Sequence, residues 1–208
     1  MIIKSLGIVF MLSNPFLGIT QVQNLEFNKE PKSKFTLSIN GKKYEISEDD
    51  ELVLDTIIKP KISIKLSEIK KFENSSISFD YPRNMFYEFS QDFGYKNWAL
   101  TGSSALVLFF ELESETTVTE LVDEIIKKFE KKNCKIENFQ KKVGAKNLVG
   151  QKINITLVGQ KLIVECLEIK SSDSKSRFIY FQDSLEDEKN SKEFEKVNSI
   201  ISSSIIYK

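Results

Sequence analysis

The chain has 208 residues, no histidine, 30 Lys and Arg balanced by 30 Asp and Glu, and 40% hydrophobic residues. This length and composition suit one large or two small globular domains with a substantial core, and exclude a disordered tail. The usual general base near neutral pH, also the commonest metal ligand, is missing, and zero formal net charge argues against a dedicated nucleic-acid binder.

Residues Met1 to Thr20 read as a secretory signal: Lys4 gives a short basic start, Leu6 to Leu12 an apolar centre, and Gly18-Ile19-Thr20 a small-residue exit. The mature chain is then expected to begin at Gln21 and to be secreted or periplasmic. Ser13, Asn14 and Pro15 break the apolar run short of the roughly 18 to 20 residues that a spanning helix needs, so no stable membrane span is expected after cleavage.

Residues 21–72 are expected to form a small β-rich N-terminal unit. Phe35, Leu37 and Ile39 alternate with polar residues before Asn40-Gly41, and Tyr44 and Ile46 do so after it, the pattern of a β-hairpin on a type I′ turn. Leu52-Val53-Leu54 and the alternating Ile62, Ile64 and Leu66 add strand-like segments on either side of Pro60.

Residues 73–208 form the expected second unit. Ile77-Ser78-Phe79-Asp80-Tyr81 alternates and closes at Pro82; Met85, Tyr87 and Phe89 alternate again before a Gly94 turn and a strand from Lys96 to Thr101. Ala105 to Phe110 is apolar on both faces and demands cover above and below. Thr117-Val118-Thr119-Glu120 is a capping box, and Val118, Leu121, Val122, Ile125, Ile126 and Phe129 follow at helical spacing. Strands are expected at Lys135 to Val143, at Lys152 to Val158 and Leu162 to Ile169 about Gly159-Gln160, and at Arg177 to Phe181. A second helix carries Phe194, Val197, Ile200 and Ile201, with Asn190 or Ser191 as its cap. Strand runs with one helix in the middle and one at the end predict an α+β fold, an antiparallel sheet with helices packed on it.

The second unit resembles the PsbP-like superfamily, which includes the lumenal photosystem II extrinsic subunit and the Ran-binding nuclear import factor. Ile77-Ser78-Phe79-Asp80-Tyr81-Pro82 looks like the family's first strand ending in Tyr-Pro. The capped middle helix, the Gly159 hairpin and the terminal Phe194 to Ser203 segment, like the family's closing Phe-x-x-Ile-x-x-Ser helix, complete the match over about two-thirds of the chain. The resemblance implies an α/β/α sandwich on an antiparallel sheet and a largely non-enzymatic family of binding and assembly proteins. It carries over no functional residues.

Local chemistry is sparse. There is no Gly-x-Ser-x-Gly elbow, and Gly102-Ser103-Ser104 lacks the second glycine and the lysine of a phosphate loop, so it reads as a turn. Glu48 to Glu51 and Glu186 to Glu188 lack the spacing of a calcium loop and read as solvated turns. No catalytic, cofactor or metal residue is assigned. Cys134 and Cys166 either pair as a disulfide or serve as small buried apolar residues, and neither has the companions of a thiol hydrolase. The aromatic group Phe86, Tyr87, Phe89, Phe93, Tyr95 and Trp98 is the one concentration that suggests function. Tyr87, Phe89 and Trp98 fit a core by alternation, which leaves Phe86, Phe93 and Tyr95 as candidate partner-binding residues. The expectation is an exported, non-enzymatic binding or assembly module whose partner is another protein. The alternatives are a hydrolase using Glu111 with Glu165 or Glu168, and a carrier of a small apolar ligand held between sheet and helix.

Overall fold

The computed structural model describes residues 29–57, 59–171 and 173–208; the expected signal segment lies outside them. Strands β1 (Lys34–Ile39) and β2 (Lys42–Ser47) form the expected hairpin, with Asn40 and Gly41 both at positive φ (51° and 85°) as a type I′ turn requires. Strand β3 (Ile62–Leu66) pairs along the other side of β1. The registers put Phe35, Leu37, Ile39, Tyr44, Ile46, Ile62, Ile64 and Leu66 on one face, yet Ile39 is the only fully buried member. Leu52 to Leu54 forms no strand, and Val53 is exposed.

Strand β4 (Ile69–Glu73) pairs with β5 (Ile77–Pro82), so the expected break between residues 72 and 73 falls inside a strand whose Phe72 is buried in the main core. The two-residue β13 (Ile206–Tyr207) joins the other side of β5. A seven-stranded antiparallel sheet holds β6 (Phe86–Asp92), β7 (Tyr95–Thr101), β8 (Ala105–Leu112), β9 (Cys134–Val143), β10 (Lys146–Leu157), β11 (Gln160–Glu168) and β12 (Ser176–Ser184). Their spatial order is β6-β7-β8-β12-β11-β10-β9.

Strand β8 lies inside the sheet, between β7 and β12, and is buried from Ala105 to Glu111. Its alternation feeds two cores. Ala105, Val107 and Phe109 face helix α2 (Lys192–Ser204) together with the β13-β5-β4 sheet; Leu106, Leu108 and Phe110 face helix α1 (Val118–Phe129). The capping box on α1 is present in both directions: Thr117 Oγ1 accepts from the Glu120 amide at 3.2 Å, and the Thr117 amide donates to Glu120 Oε2 at 2.7 Å. Val122, Ile125, Ile126 and Phe129 are buried beneath α1.

The α/β/α sandwich of the α+β class is not what forms. The molecule is mostly antiparallel β-sheet, with 53% strand, 16% helix, two helices and three sheets. The two-sided burial of β8 does require two covering layers, but one of them is largely β-sheet: Phe72, Ile77, Phe79 and Tyr81 share a core with Trp98, Phe109, Phe194 and Ile201. Strand content also rises because β10 starts at Lys146, not Lys152, after a tight Gly144-Ala145 turn from β9.

Candidate functional site

The expected aromatic group divides by strand alternation. Tyr87, Phe89 and Trp98 turn into the core beside Phe72 and Phe109, with Phe89 and Trp98 rings 5.3 Å apart and Trp98 and Phe109 rings 5.4 Å apart. Burial pushes the Tyr87 hydroxyl up to about 12, with the Glu30 charge adding to the shift. Phe86 is 67% exposed and Phe93 is 100% exposed. Tyr95 is half-buried, and its hydroxyl is raised by that burial and then by Asp92.

The structure does not gather the three candidates into one patch. Phe86 opens β6, whereas Phe93 and Tyr95 belong to the hairpin at its other end; the seven-residue strand between them spans about 23 Å. Phe93 occupies the two-residue turn with Gly94, whose φ of 83° lets the chain reverse, and the Phe93 amide donates to Asp92 Oδ1 at 2.7 Å. The turn backbone is held by that hydrogen bond, and the ring projects into solvent as an apolar tip. With its ring 100% exposed, Phe93 makes no packing contact with the N-terminal strands.

Sequence reasoning missed the element that joins these rings. Strand β6 is the edge of the large sheet, paired with β7 on one side and with no strand on the other among the described residues. Its sequence, Phe-Tyr-Glu-Phe-Ser-Gln-Asp, contains no lysine or proline, and its pairing runs through seven consecutive residues without a bulge. Edges are usually blunted by such devices. The opposite edge, β9, has them: Lys135 and Lys142 are exposed along it and Lys141 is ion-paired to Glu165 at 2.6 Å.

The carboxylates of the hydrolase alternative stay apart. Glu111 on β8 and Glu165 on β11 are two strands and about four residues out of register, about 16 Å, which exceeds the ~5 to 9.5 Å of glycosidase-type pairs. Glu168 points to the opposite face from Glu111, since its cross-strand partner Phe178 lies in the core beneath α1. Both buried acids are neutralised: Glu165 by Lys141, and Glu111 by Arg177 and Lys175, each at 3.0 Å. Burial raises the Glu111 carboxyl, but the hydrogen bonds and charges of Lys175 and Arg177 outweigh it and hold the group below the ordinary range.

Cys134 and Cys166 are free. They lie on β9 and β11 with β10 between them, and the registers place them two strands and about four residues apart, about 16 Å, beyond the ~7 Å limit for a disulfide. The disulfide is thereby corrected. Burial pushes the Cys166 thiol up to about 12, so it stays protonated as a core residue. The ligand-carrier alternative finds a cleft between α1 and the sheet, lined by Leu108, Phe110, Leu121, Ile125 and Tyr180, of only about 50 Å³. Small-molecule sites run from about 300 Å³ upward. Among the described residues, no group of three or more Cys, Asp or Glu is placed to hold a metal ion, and no helix is long and apolar enough to cross a membrane.

Gly102-Ser103-Ser104 is a turn, and its anchor is visible. Glu193 in the first turn of α2 accepts from the amides of Ser104 (2.6 Å) and Ala105 (3.0 Å), and Ser104 Oγ reaches Ser191 Oγ at 3.0 Å. Burial raises the Glu193 carboxyl, and the Ser104, Ser103 and Ala105 amides more than reverse this. The serines here serve the cap of α2. No protein-family model matches the chain, and no curated protein matches it either.

Proposed function

We propose that the protein is an exported, non-enzymatic binding module that engages another protein along the β6 edge. The observation that carries this reading is an edge strand without lysine, proline or bulge, flanked by the solvent-exposed Phe86 and Phe93. An extended partner segment can hydrogen-bond to the free side of β6 and cover Phe86 and Phe93 at the two ends. Glu88 and Asp92 are exposed on that strand and it carries no cation, so the fitting segment is basic as well as apolar. Export is supported by the basic, apolar and small-residue order of Met1 to Thr20, and the intact mass of the native protein should show a start at Gln21. A native cytoplasmic chain retaining Met1 would remove that part of the proposal.

The docking reading is tested in two stages. Capture from the envelope fraction of the source cells identifies a partner, and titration then compares wild type with Glu88→Lys and with a Phe86→Ser/Phe93→Ser double variant. Both variants should bind at least tenfold more weakly while their urea midpoints stay at the wild-type value. A partner that binds both variants as tightly as wild type would place the interface elsewhere.

A further inference from the structure

At the end of the large sheet farthest from Gly102, Lys146 after the β9 turn, residues 169–171 and 173 beyond β11, Ser75 and Ser76 before β5, and the C-terminal Tyr207 and Lys208 surround a polar cavity of about 430 Å³. Four cationic side chains line it, Lys146, Lys170, Arg177 and Lys208, against a single lining carboxylate, Asp173. Ser75, Ser76, Ser171 and Tyr207 supply hydroxyls.

The charges are not self-cancelling. Arg177, 6% exposed, donates both terminal nitrogens to Asp173 at 2.7 and 2.8 Å and its Nε to Glu111 at 3.0 Å. Lys208 Nζ is held by Glu73 Oε1 and the Asn74 carbonyl, each at 2.7 Å. Lys146 and Lys170 have no carboxylate partner among the described residues, and the Lys146 ammonium stands 4.4 Å from the centre of the Tyr207 ring. The buried Asn74 shapes the start of β5: its Oδ1 accepts from the Ser76 and Ile77 amides at 2.9 Å each. Arg177 and Lys208 are offset by Asp173, Glu111 and Glu73, so the local excess of positive charge rests on Lys146 and Lys170, in a chain of zero formal net charge.

We propose that this cavity binds a small soluble anion bearing a phosphoryl group. A phosphoryl dianion offers three acceptor oxygens to ammonium and hydroxyl donors spread around a wall, and the volume lies within the range of small-molecule sites. A monocarboxylate would use fewer of the donors. Asp173 already occupies the Arg177 fork in the bidentate manner of a bound oxyanion, so it competes with the ligand for that arginine.

Isothermal titration with inorganic pyrophosphate at constant ionic strength tests the site, with citrate as the carboxylate comparison. Wild type should bind pyrophosphate saturably at one per chain and more tightly than citrate. Lys146→Ala/Lys170→Ala, which removes two exposed side chains, should weaken binding at least tenfold with no shift in melting temperature, and Asp173→Asn should tighten it several-fold. Absence of saturable binding, citrate bound as tightly as pyrophosphate, or undiminished binding by the double-lysine variant would overturn the proposal; weaker binding by Asp173→Asn would remove Arg177 from it.

Discussion

Single residues decide more here than their types suggest. Phe93 looks like a core residue by hydrophobicity and is wholly solvated, so Phe93→Ala should change stability by less than about 0.5 kcal/mol in urea titrations. A loss of several kcal/mol would mean that the ring is covered in solution. Gly150 gives the opposite case. It lies mid-strand in β10, where a Cβ would run into the backbone carbonyl of Cys166 on the neighbouring strand. Gly150→Ala should therefore cost about 3 kcal/mol or more, since backbone, unlike a flexible side-chain end, cannot step aside. Thr117→Ala removes one half of a two-way cap and should cost about 1 kcal/mol, read from the same kind of titration.

Among the elements, those with an unbroken local pattern were legible in the sequence. The Asn40-Gly41 hairpin, the capped α1 and the two-faced β8 each declare themselves through a turn dipeptide, a cap or a continuous apolar run. Gly150 interrupts β10 and hides its first half, because a glycine inside a strand carries no alternation signal. The covering layer was misread for a different reason. Whether Phe72, Phe79 and Tyr81 pack in the same sheet as Trp98 or in a second sheet above it depends on pairing partners far away in sequence, which period-two patterns do not encode. The candidate site was half legible: Phe86 and Phe93 stand out as misplaced apolar residues, but β6 becomes an edge only through the order of the other strands. Ile125, 6% exposed beneath α1 and beside the small cleft, tests the face assigned to that helix; Ile125→Ala should cost about 2 to 5 kcal/mol by denaturant titration, and a neutral result would turn the helix around.

For the whole molecule, the lack of histidine flattens the pH profile. No side chain has an ordinary pKa between the carboxylates and the cysteines, so the urea midpoint should hold steady between about pH 7 and 8. Acid acts differently. Glu111 and Glu193 have folded-state values below their ordinary 4.5, so the stability they supply is fully present above that value and is lost as pH falls through the lower folded value. Asp183 opposes them: burial first, against hydrogen bonds from Ser191, leaves it raised, so its protonation on acidification favours the folded state. The expected result is a midpoint that starts to fall only below about pH 4.5, and a steep change near neutrality would contradict this account. The contrast between the two borders of the large sheet sets a limit on assembly. With lysines along β9 and none along β6, the proposed strand addition to the large sheet is confined to its β6 border, and Glu88 and Asp92 there disfavour a second copy of β6 as the guest. On the proposed docking reading the large sheet is therefore monovalent and takes a single guest strand.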